Sequence, residues 1–569
     1  MKKNTPIVKA KKTERLFTPV TNVVEEIRVM QSHGDKPIFS YKAGGKDATI
    51  SYAEFVTRIE HVCVGLQNAG LAGKRVALLS ETRPEWFATY FAILLTGGVA
   101  IPMDKELAAK EIANFLAIAE AEGLVFSEGL TEKATIEEHP TLRIRIAMDA
   151  KPEDAAEGTI SLLPYCTFVD NDGAFVYPET VDNNTMCEML FTSGTTGTSK
   201  CVMLSQKNVF STVSAACQSV PFTPDDVVLS VLPIHHTYEL AVDLAAMNYG
   251  IHVCINDSLR RVLPNIKKYR PTGLVLVPLF VETMYKKILS EAKKKGKDKA
   301  INVGAKLTRA GRKIGIDLRK KVFAEIQETF GGRLQKIVCG GAALNPKLIR
   351  AFDDFGIAVY EGYGITECSP LIAVTPYYAR KFGSVGPAVS SCEARIAGDD
   401  VGDKGYIEGE IQVKGDNVML GYYANDEANA GAFTEDGWYR TGDVGYMDDD
   451  GYIYITGRIK SVIVLENGKN VFPEEIEEYL AEVEGIAECV VVGRKAENSD
   501  AIILTALIFA DVAKIPEGGT AEELQVSIEK QISAINKKLP SFKQIRKVEF
   551  RETEFEKTTT RKIRRNLVK

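Results

Sequence analysis

The sequence predicts an α/β fold: a large N-terminal domain of two helix-covered sheets plus a small β subdomain, followed by a small α+β C-terminal domain. Three observations carry this expectation. From about residue 37 to residue 360, apolar runs of strand length alternate with segments of helical periodicity, which argues for parallel sheets covered by helices. Between Gly383 and Ile455, closely spaced glycines and short alternating runs replace that rhythm, the pattern of a small β region. Beyond Lys460 a strand–helix pattern starts afresh and runs to the end.

Taken in order, two alternating runs from Pro37 to Ser51 flank Ala43-Gly44-Gly45-Lys46-Asp47, the form of a hairpin with a glycine turn. A helix is expected from Tyr52, because Phe55, Ile59, Cys63 and Leu66 recur at helical spacing. Arg75 to Ser80 reads as a buried strand, and Pro84 opens the next helix, where its missing N–H is harmless. Strands follow near Val99 to Pro102, Leu124 to Ser127, Leu142 to Met148 and Cys187 to Thr192, with a helix from Lys110 to Glu120. Ser205 is placed to cap a helix running to Ser219. Strands Val227 to Leu232, His252 to Ile255 and Gly273 to Val277, with a helix from Leu240 to Tyr249, then imply a second sheet.

The lysine-rich run from Lys293 to Lys299 interrupts the helices and reads as a solvated face or linker, with docking to an anionic lipid or nucleotide as the alternative. Strand Leu334 to Cys339, a helix from Pro346 and strand Ile357 to Tyr360 complete the alternation. In the C-terminal module the pattern gives strand Val462 to Leu465, helix Pro473 to Val483, strands Cys489 to Val492 and Ala501 to Phe509, and helix Glu522 to Lys537.

Composition narrows the function classes. With 569 residues, 45% hydrophobic and 26% charged, the chain has an ordinary globular balance and length for several cores. Its net charge of -6 gives no reason to expect a nucleic-acid partner. No apolar run approaches the ~18 residues of a membrane span. Ten cysteines without a Cys-x-x-Cys pair, and no secretory signal pattern, point to a cytoplasmic protein without structural zinc. The basic start (Lys2, Lys3, Lys9, Lys11, Lys12) reads as a solvated arm, with peripheral contact to a membrane surface left open. Oligomeric state is not encoded in any feature of the sequence.

The stretch Met189-Leu190-Phe191-Thr192-Ser193-Gly194-Thr195-Thr196-Gly197-Thr198-Ser199-Lys200 carries the first chemical signal. An apolar strand end passes into two glycines that allow close backbone approach to a ligand, with hydroxyls and amides to surround an anion and Lys200 as a point charge. A Walker loop needs lysine directly after its second glycine, and here Thr198 and Ser199 intervene. His235-His236 could suggest a metal, but adjacent histidines in a strand would face opposite sides, so zinc is set aside.

The phosphate-loop stretch resembles the signature of the AMP-forming adenylating enzymes, the superfamily of acyl-CoA synthetases, peptide-synthetase adenylation domains and luciferases. Further signatures stand in the family's order: Gly340-Gly341-Ala342-Ala343-Leu344, Tyr363-Gly364-Ile365-Thr366-Glu367, Tyr439-Arg440-Thr441-Gly442-Asp443, Gly457-Arg458-Ile459-Lys460 and Thr560-Arg561-Lys562-Ile563. The resemblance implies that Thr192, Ser193, Gly194, Thr195, Thr196, Gly197 and Lys200 cradle phosphate. It places adenine against Gly341, Ala342, Ala343 and Tyr363-Gly364, with Thr366 on the α-phosphate and Glu367 on Mg²⁺. Asp443 takes the ribose hydroxyls and Arg458 reaches ribose or phosphate. His236 lines the path between acyl carboxylate and thiol, Gly468 lets the pantetheine arm pass, and Lys562 is the cation of the adenylation step.

The resemblance also places the domain boundary, with an AMP-binding domain over 1–459, a cap over 460–569 and a hinge at Lys460. The chain departs from the family at Arg561, where glycine usually precedes the catalytic lysine, and at Ser199 and Cys201 around Lys200. Within the superfamily the motifs are most similar to long-chain fatty acyl-CoA synthetases. They imply ATP-dependent activation of a fatty acid with Mg²⁺, then transfer to CoA. Another carboxylic acid, an acyl carrier protein as acceptor, and a non-catalytic nucleotide-binding protein stay open as alternatives.

Overall fold

A computed structural model describes residues 8–9, 17–136, 139–151, 158–161, 174–192, 199–402, 404–465, 470–496, 502–515, 519–557 and 563–568. The chain forms two compact units, Met1–Ala394 with Val413–Tyr439, and Arg395–Gln412 with Arg440–Lys569.

The first unit holds two eight-stranded sheets. In the first sheet the strands Val99–Met103, Arg75–Leu79, Gly123–Phe126 and Ile144–Ala147 run parallel, Thr159–Ser161 extends them, and Met186–Thr192 joins Val99–Met103 in parallel on the other side. Lys200–Ser205 turns back antiparallel on Met186–Thr192, and Gly421–Tyr422 pairs antiparallel with it. The second sheet has a parallel centre of Val227–Ser230, His252–Ile255, Gly273–Leu276, Lys336–Cys339 and Ala358–Gly364. The Pro37–Ser51 hairpin forms one edge, and Ala43 pairs with Lys46 across a turn whose Gly44 and Gly45 both have positive φ. Leu371–Val374 closes the other edge.

The expected helices form for the expected reasons. Ser51 and Glu54 make a reciprocal cap for Tyr52–Asn68, whose Phe55, Ile59, Cys63 and Leu66 are all buried. Ser205 and Asn208 cap Gln206–Ser219 in the same way. Around the second sheet, Leu274, Leu276, Ile337, Val359, Phe352 and Phe355 form a core together with the helix Pro278–Lys294 through Val281, Met284 and Ile288.

The second unit has a four-stranded sheet ordered Cys392–Ala397, Glu408–Gly415, Tyr439–Met447, Ile453–Arg458. It also has a three-stranded sheet in which Ile502–Ala510 lies between Ile486–Lys495 and Ile545–Arg551. The apolar run read as a buried strand is thus a central one. The helices Pro473–Leu480 and Ala521–Asn536 pack on this sheet through Ile476, Leu480, Leu524, Ile528 and Ile532.

Three readings need correction. His235 and His236 lie in a turn that ends where the helix Thr237–Tyr249 begins, not in a strand, and their ring centroids approach to 4.1 Å. The strand expected to end near Tyr360 continues through Gly364, because Gly362 and Tyr363 pair with Val374 and Ala373. Part of the basic N-terminal arm is not solvated coil, since Val8–Lys9 pairs antiparallel with Ala379–Arg380.

Candidate active site

The carboxyl ends of the second sheet's parallel strands collect the glycine-rich motifs. Lys336–Cys339 leads directly into Gly340-Gly341, and Ala358–Gly364 runs beside it with Cys339 opposite Glu361. Ligand crevices in open α/β sheets lie outside such strand ends. The space is defined by missing side chains: a Cβ on Gly340 would meet the Gly362 carbonyl at 3.1 Å and the Tyr238 ring at 3.2 Å. Gly341 has a φ of +84°, a conformation that favours glycine, and Ala342 and Ala343 after it are exposed. At Gly364 a Cβ would lie 1.9 Å from the Pro370 carbonyl oxygen, so the backbone closes there on glycine alone. A short 3-10 turn, Thr366–Cys368, then presents Thr366 and Glu367, both half-buried, while Tyr363 is buried.

Tyr422, which no sequence motif singled out, brings Lys200 and Glu367 into one network. Its hydroxyl donates to Glu367 Oε1 at 2.9 Å, and the Lys200 ammonium lies 4.4 Å from its ring centroid. The geometry follows from strand pairing. Tyr422 sits opposite Val202, and the period of two places Lys200 on the same strand face. The Tyr439 hydroxyl is 3.3 Å from that of Tyr422. Burial, reinforced by the Glu367 charge, pushes both phenols well above their ordinary range, so they act as neutral hydrogen-bonding groups. Thr192 ends its strand beside Lys200, with its hydroxyl donating to the Lys200 carbonyl at 3.4 Å.

The segment leading into the turn of His235 and His236 is held by Glu239. One oxygen of this buried carboxyl accepts from the Ser230 hydroxyl at 2.6 Å and from the Val231 and Leu232 amides at 2.8 and 3.2 Å. Asp243, one helical turn further on, shares Ser230 at 3.1 Å. Burial raises both carboxyls, and the proximity of Glu239 raises Asp243 further. His235 is pushed down to about 3 by burial, so it is a neutral ring 3.6 Å from Asp104 rather than half of an ion pair. His236 is half-buried at the N-terminal end of the helix.

From Gly340, Gly341 and Gly362 an apolar cavity runs along the sheet face between the helices Gln206–Ser219 and Thr237–Tyr249. Its volume is about 110 Å³. Its lining passes from Tyr363 at the glycines through Ala241 and Ala245 to Phe222, and none of its lining residues is charged. The alanines keep the helix surface low. Phe222 lies against Gly273, where a Cβ would come within 2.5 Å of the ring.

In the second unit Asp443 and Arg458 stand opposite each other on adjacent antiparallel strands, joined by an ion pair of 2.7 Å. Asp443 is buried and Arg458 half-exposed. The Thr441 hydroxyl donates to the Ile411 carbonyl at 2.6 Å and accepts the Asp443 amide at 3.1 Å, which fixes this strand end. The strand Tyr439–Met447 that carries Asp443 was not foreseen from the sequence.

Ser193, Gly194, Thr195, Thr196, Gly197, Gly468 and Lys562 lie outside the described residues. Among the described residues no group of three or more His, Cys, Asp or Glu side chains is arranged to hold a metal ion. The Glu367 carboxylate, oriented by the Tyr422 hydroxyl, is an oxygen donor of the kind that suits Mg²⁺, an ion that often binds through one carboxylate and substrate phosphates.

A family model described as AMP-binding enzyme matches residues 27–423, and one described as AMP-binding enzyme C-terminal domain matches residues 460–569. The long-chain-fatty-acid–CoA ligase FadD15 of Mycobacterium bovis is 29% identical over 576 residues, covering 94% of this chain and 92% of that relative. The indoleacetate–CoA ligase of Aromatoleum aromaticum is 29% identical over 485 residues, covering 84% of this chain and 86% of that relative. Among solved structures, ATP-bound MatB from Rhodopseudomonas palustris matches with a TM-score of 0.72 at 25% identity, covering 96% of this chain and 98% of that one.

Proposed function

The chain belongs to the AMP-binding enzyme family of adenylating acyl-CoA ligases, and from that premise we propose that it converts a long-chain fatty acid, ATP and CoA into fatty acyl-CoA, AMP and pyrophosphate. The observation that carries the fatty-acid reading is the cavity. It begins at the glycines where the nucleotide motifs meet and continues without a charged lining residue. Each methylene buried in such a space contributes about 0.8 kcal/mol.

In the first step a carboxylate oxygen of the acid attacks the α-phosphorus of ATP, and the bond to pyrophosphate breaks. Tyr363, Gly341, Ala342 and Ala343 bind adenine, Asp443 and Arg458 the ribose, and Thr366 the α-phosphate. Lys200 and the hydroxyl loop Thr192–Gly197 hold the outer phosphates. Mg²⁺, held by Glu367, supplies charge neutralisation at the phosphates when bound. Lys562 is the cation that offsets repulsion between carboxylate and α-phosphate. Rotation about Lys460 then replaces it with the Gly468 loop, and the CoA thiol attacks the acyl carbonyl as AMP leaves with the carboxylate oxygen. His236 lines that path.

AMP release from Mg-ATP with acids from short to long chain and aromatic, each with and without CoA, tests the reading. CoA-dependent turnover that rises with chain length is expected. Turnover confined to aromatic acids, in line with the indoleacetate–CoA ligase relative, would replace the substrate while keeping the chemistry. Lys562→Ala should slow adenylation about 10²–10³-fold, the usual cost of one preorganised electrostatic donor. An unchanged rate would remove Lys562 from its role.

A further inference from the structure

Helix Asp298–Lys313, in the first unit, has apolar residues on both its inner and its outer faces. Its inner stripe is Ile301, Gly304, Ala305 and Thr308, of which Gly304 and Thr308 are fully buried. Gly304 sits against Phe323 so closely that a Cβ would come within 3.1 Å of the ring. Arg309 and Arg312 tie the helix to the neighbouring helix Pro346–Asp354: Arg309 forms a bidentate pair with Asp354, and Arg312 bonds Asp353 at 2.6 Å. With that side fixed, the opposite side faces outward.

That outward stripe is Val303, Leu307, Ala310 and Ile314, recurring at spacings of four, three and four. Val303 is 66% exposed, Leu307 57% and Ile314 74%. The helix ends at Gly315, with φ +81°, in a Schellman motif: the Ile316 amide bonds the Gly311 carbonyl at 2.9 Å and the Gly315 amide bonds that of Arg312 at 3.2 Å. Such a motif commonly packs its last side chain against the residue at the position of Gly311. Glycine offers nothing to pack against, so Ile316 stays 50% exposed and extends the apolar stripe.

Lysines run beside this stripe. Lys299, Lys306 and Lys313 recur every seven residues along one flank and are all exposed. The pattern of exposed aliphatic side chains bordered by lysine is that of a helix lying in a membrane interface, whose charged flank meets the headgroups. It is a poor match to a protein–protein patch, where lysine is depleted. We propose that the outer face of Asp298–Lys313 and the turn to Ile316 form a docking surface for an anionic lipid bilayer. The apolar stripe enters the headgroup boundary and the lysines pair with lipid phosphates. The surface is far simpler than a spanning segment, and no described helix is long and apolar enough to cross a membrane.

The test is co-sedimentation of the full chain with phosphatidylcholine vesicles, with and without phosphatidylglycerol, which is independent of any substrate. Binding to the anionic vesicles, weakened by salt, is expected. Lys299→Glu/Lys306→Glu/Lys313→Glu should weaken it on the order of 100-fold, at roughly one tenfold step or a little less per lysine. Leu307→Ser/Ile314→Ser should weaken it while leaving the charge of this face unchanged. Both variants should keep the wild-type unfolding midpoint and ATP-dependent AMP release in detergent-free buffer. The proposal is overturned if wild type binds neither vesicle, or if either variant binds as wild type does. It is also overturned if light scattering shows a dimer that Leu307→Ser/Ile314→Ser abolishes while vesicle binding is absent, which would make the stripe a self-association face.

Discussion

Ala245 offers the sharpest test of the cavity's role. It lies one helical turn after Ala241 on Thr237–Tyr249, and both line the apolar space with their small side chains. Ala245→Phe would place a ring in the path between the glycines at the mouth and Phe222. A ring of that size displaces roughly four methylenes of an acyl chain, which at about 0.8 kcal/mol each removes about 3 kcal/mol of binding. If that binding is expressed in the transition state, kcat/KM for long-chain acids falls about 100- to 200-fold. Short acids, whose chains end before the ring, should change less than about threefold on the same scale. The assay is pyrophosphate release across an acid series, with unfolding measured in parallel because overpacking can cost about 1–3 kcal/mol. An equal fall for short and long acids, or none for either, would refute the assignment of the acyl chain to this cavity.

Tyr422→Phe keeps the ring under Lys200 and removes the hydroxyl that donates to Glu367; a hydrogen bond to a charged group contributes about 1.5–3 kcal/mol, so adenylation should slow roughly 10- to 100-fold. A rate within twofold of wild type would show that Glu367 does not depend on it. Gly364→Ala forces a Cβ against the Pro370 carbonyl, 1.9 Å away in the unrelaxed backbone, and should cost about 3 kcal/mol in urea unfolding; wild-type stability would mean that the strand end yields freely. Glu188, buried with Tyr90 donating to it at 3.3 Å, is pushed up to about 8 by burial. The folded protein therefore holds a proton that the unfolded chain releases above the ordinary carboxylate range, so this group's stabilisation is full at low pH and is lost as pH rises through about 8. Glu188→Gln, always neutral, should gain on wild type by on the order of 3 kcal/mol between pH 6 and pH 9 in urea unfolding, and a pH-independent difference would place the titration elsewhere.

Local rules made much of the fold legible. Ser205 announces a helix start because a capping side chain reaches an amide three residues on in the chain. The parallel strands read as unbroken apolar runs because both faces are covered. Gly340, Gly341 and Gly364 stood out only through motif order; that the backbone closes on them is a tertiary fact, since a Cβ at Gly340 would meet the Gly362 carbonyl and one at Gly364 the Pro370 carbonyl. His235 and His236 misled, because nothing in two adjacent histidines tells a strand from a turn at a helix start; Glu239, which holds the segment leading into that turn, acts through buried backbone amides that have no sequence pattern.

Residue type and spacing along the chain were enough to settle the α/β architecture and the family, since each depends on interactions within a few residues or on a fixed motif order. Contacts between distant segments were not encoded that way. Tyr422 reaches Glu367 across 55 residues and lies over Lys200 only because two short strands pair in one register. The cavity exists only because Ala241 and Ala245 on one helix face the glycines that end two strands about a hundred residues later. Side chains that meet through packing are chosen by shape and burial in three dimensions, and a linear pattern carries no record of which faces will be brought together.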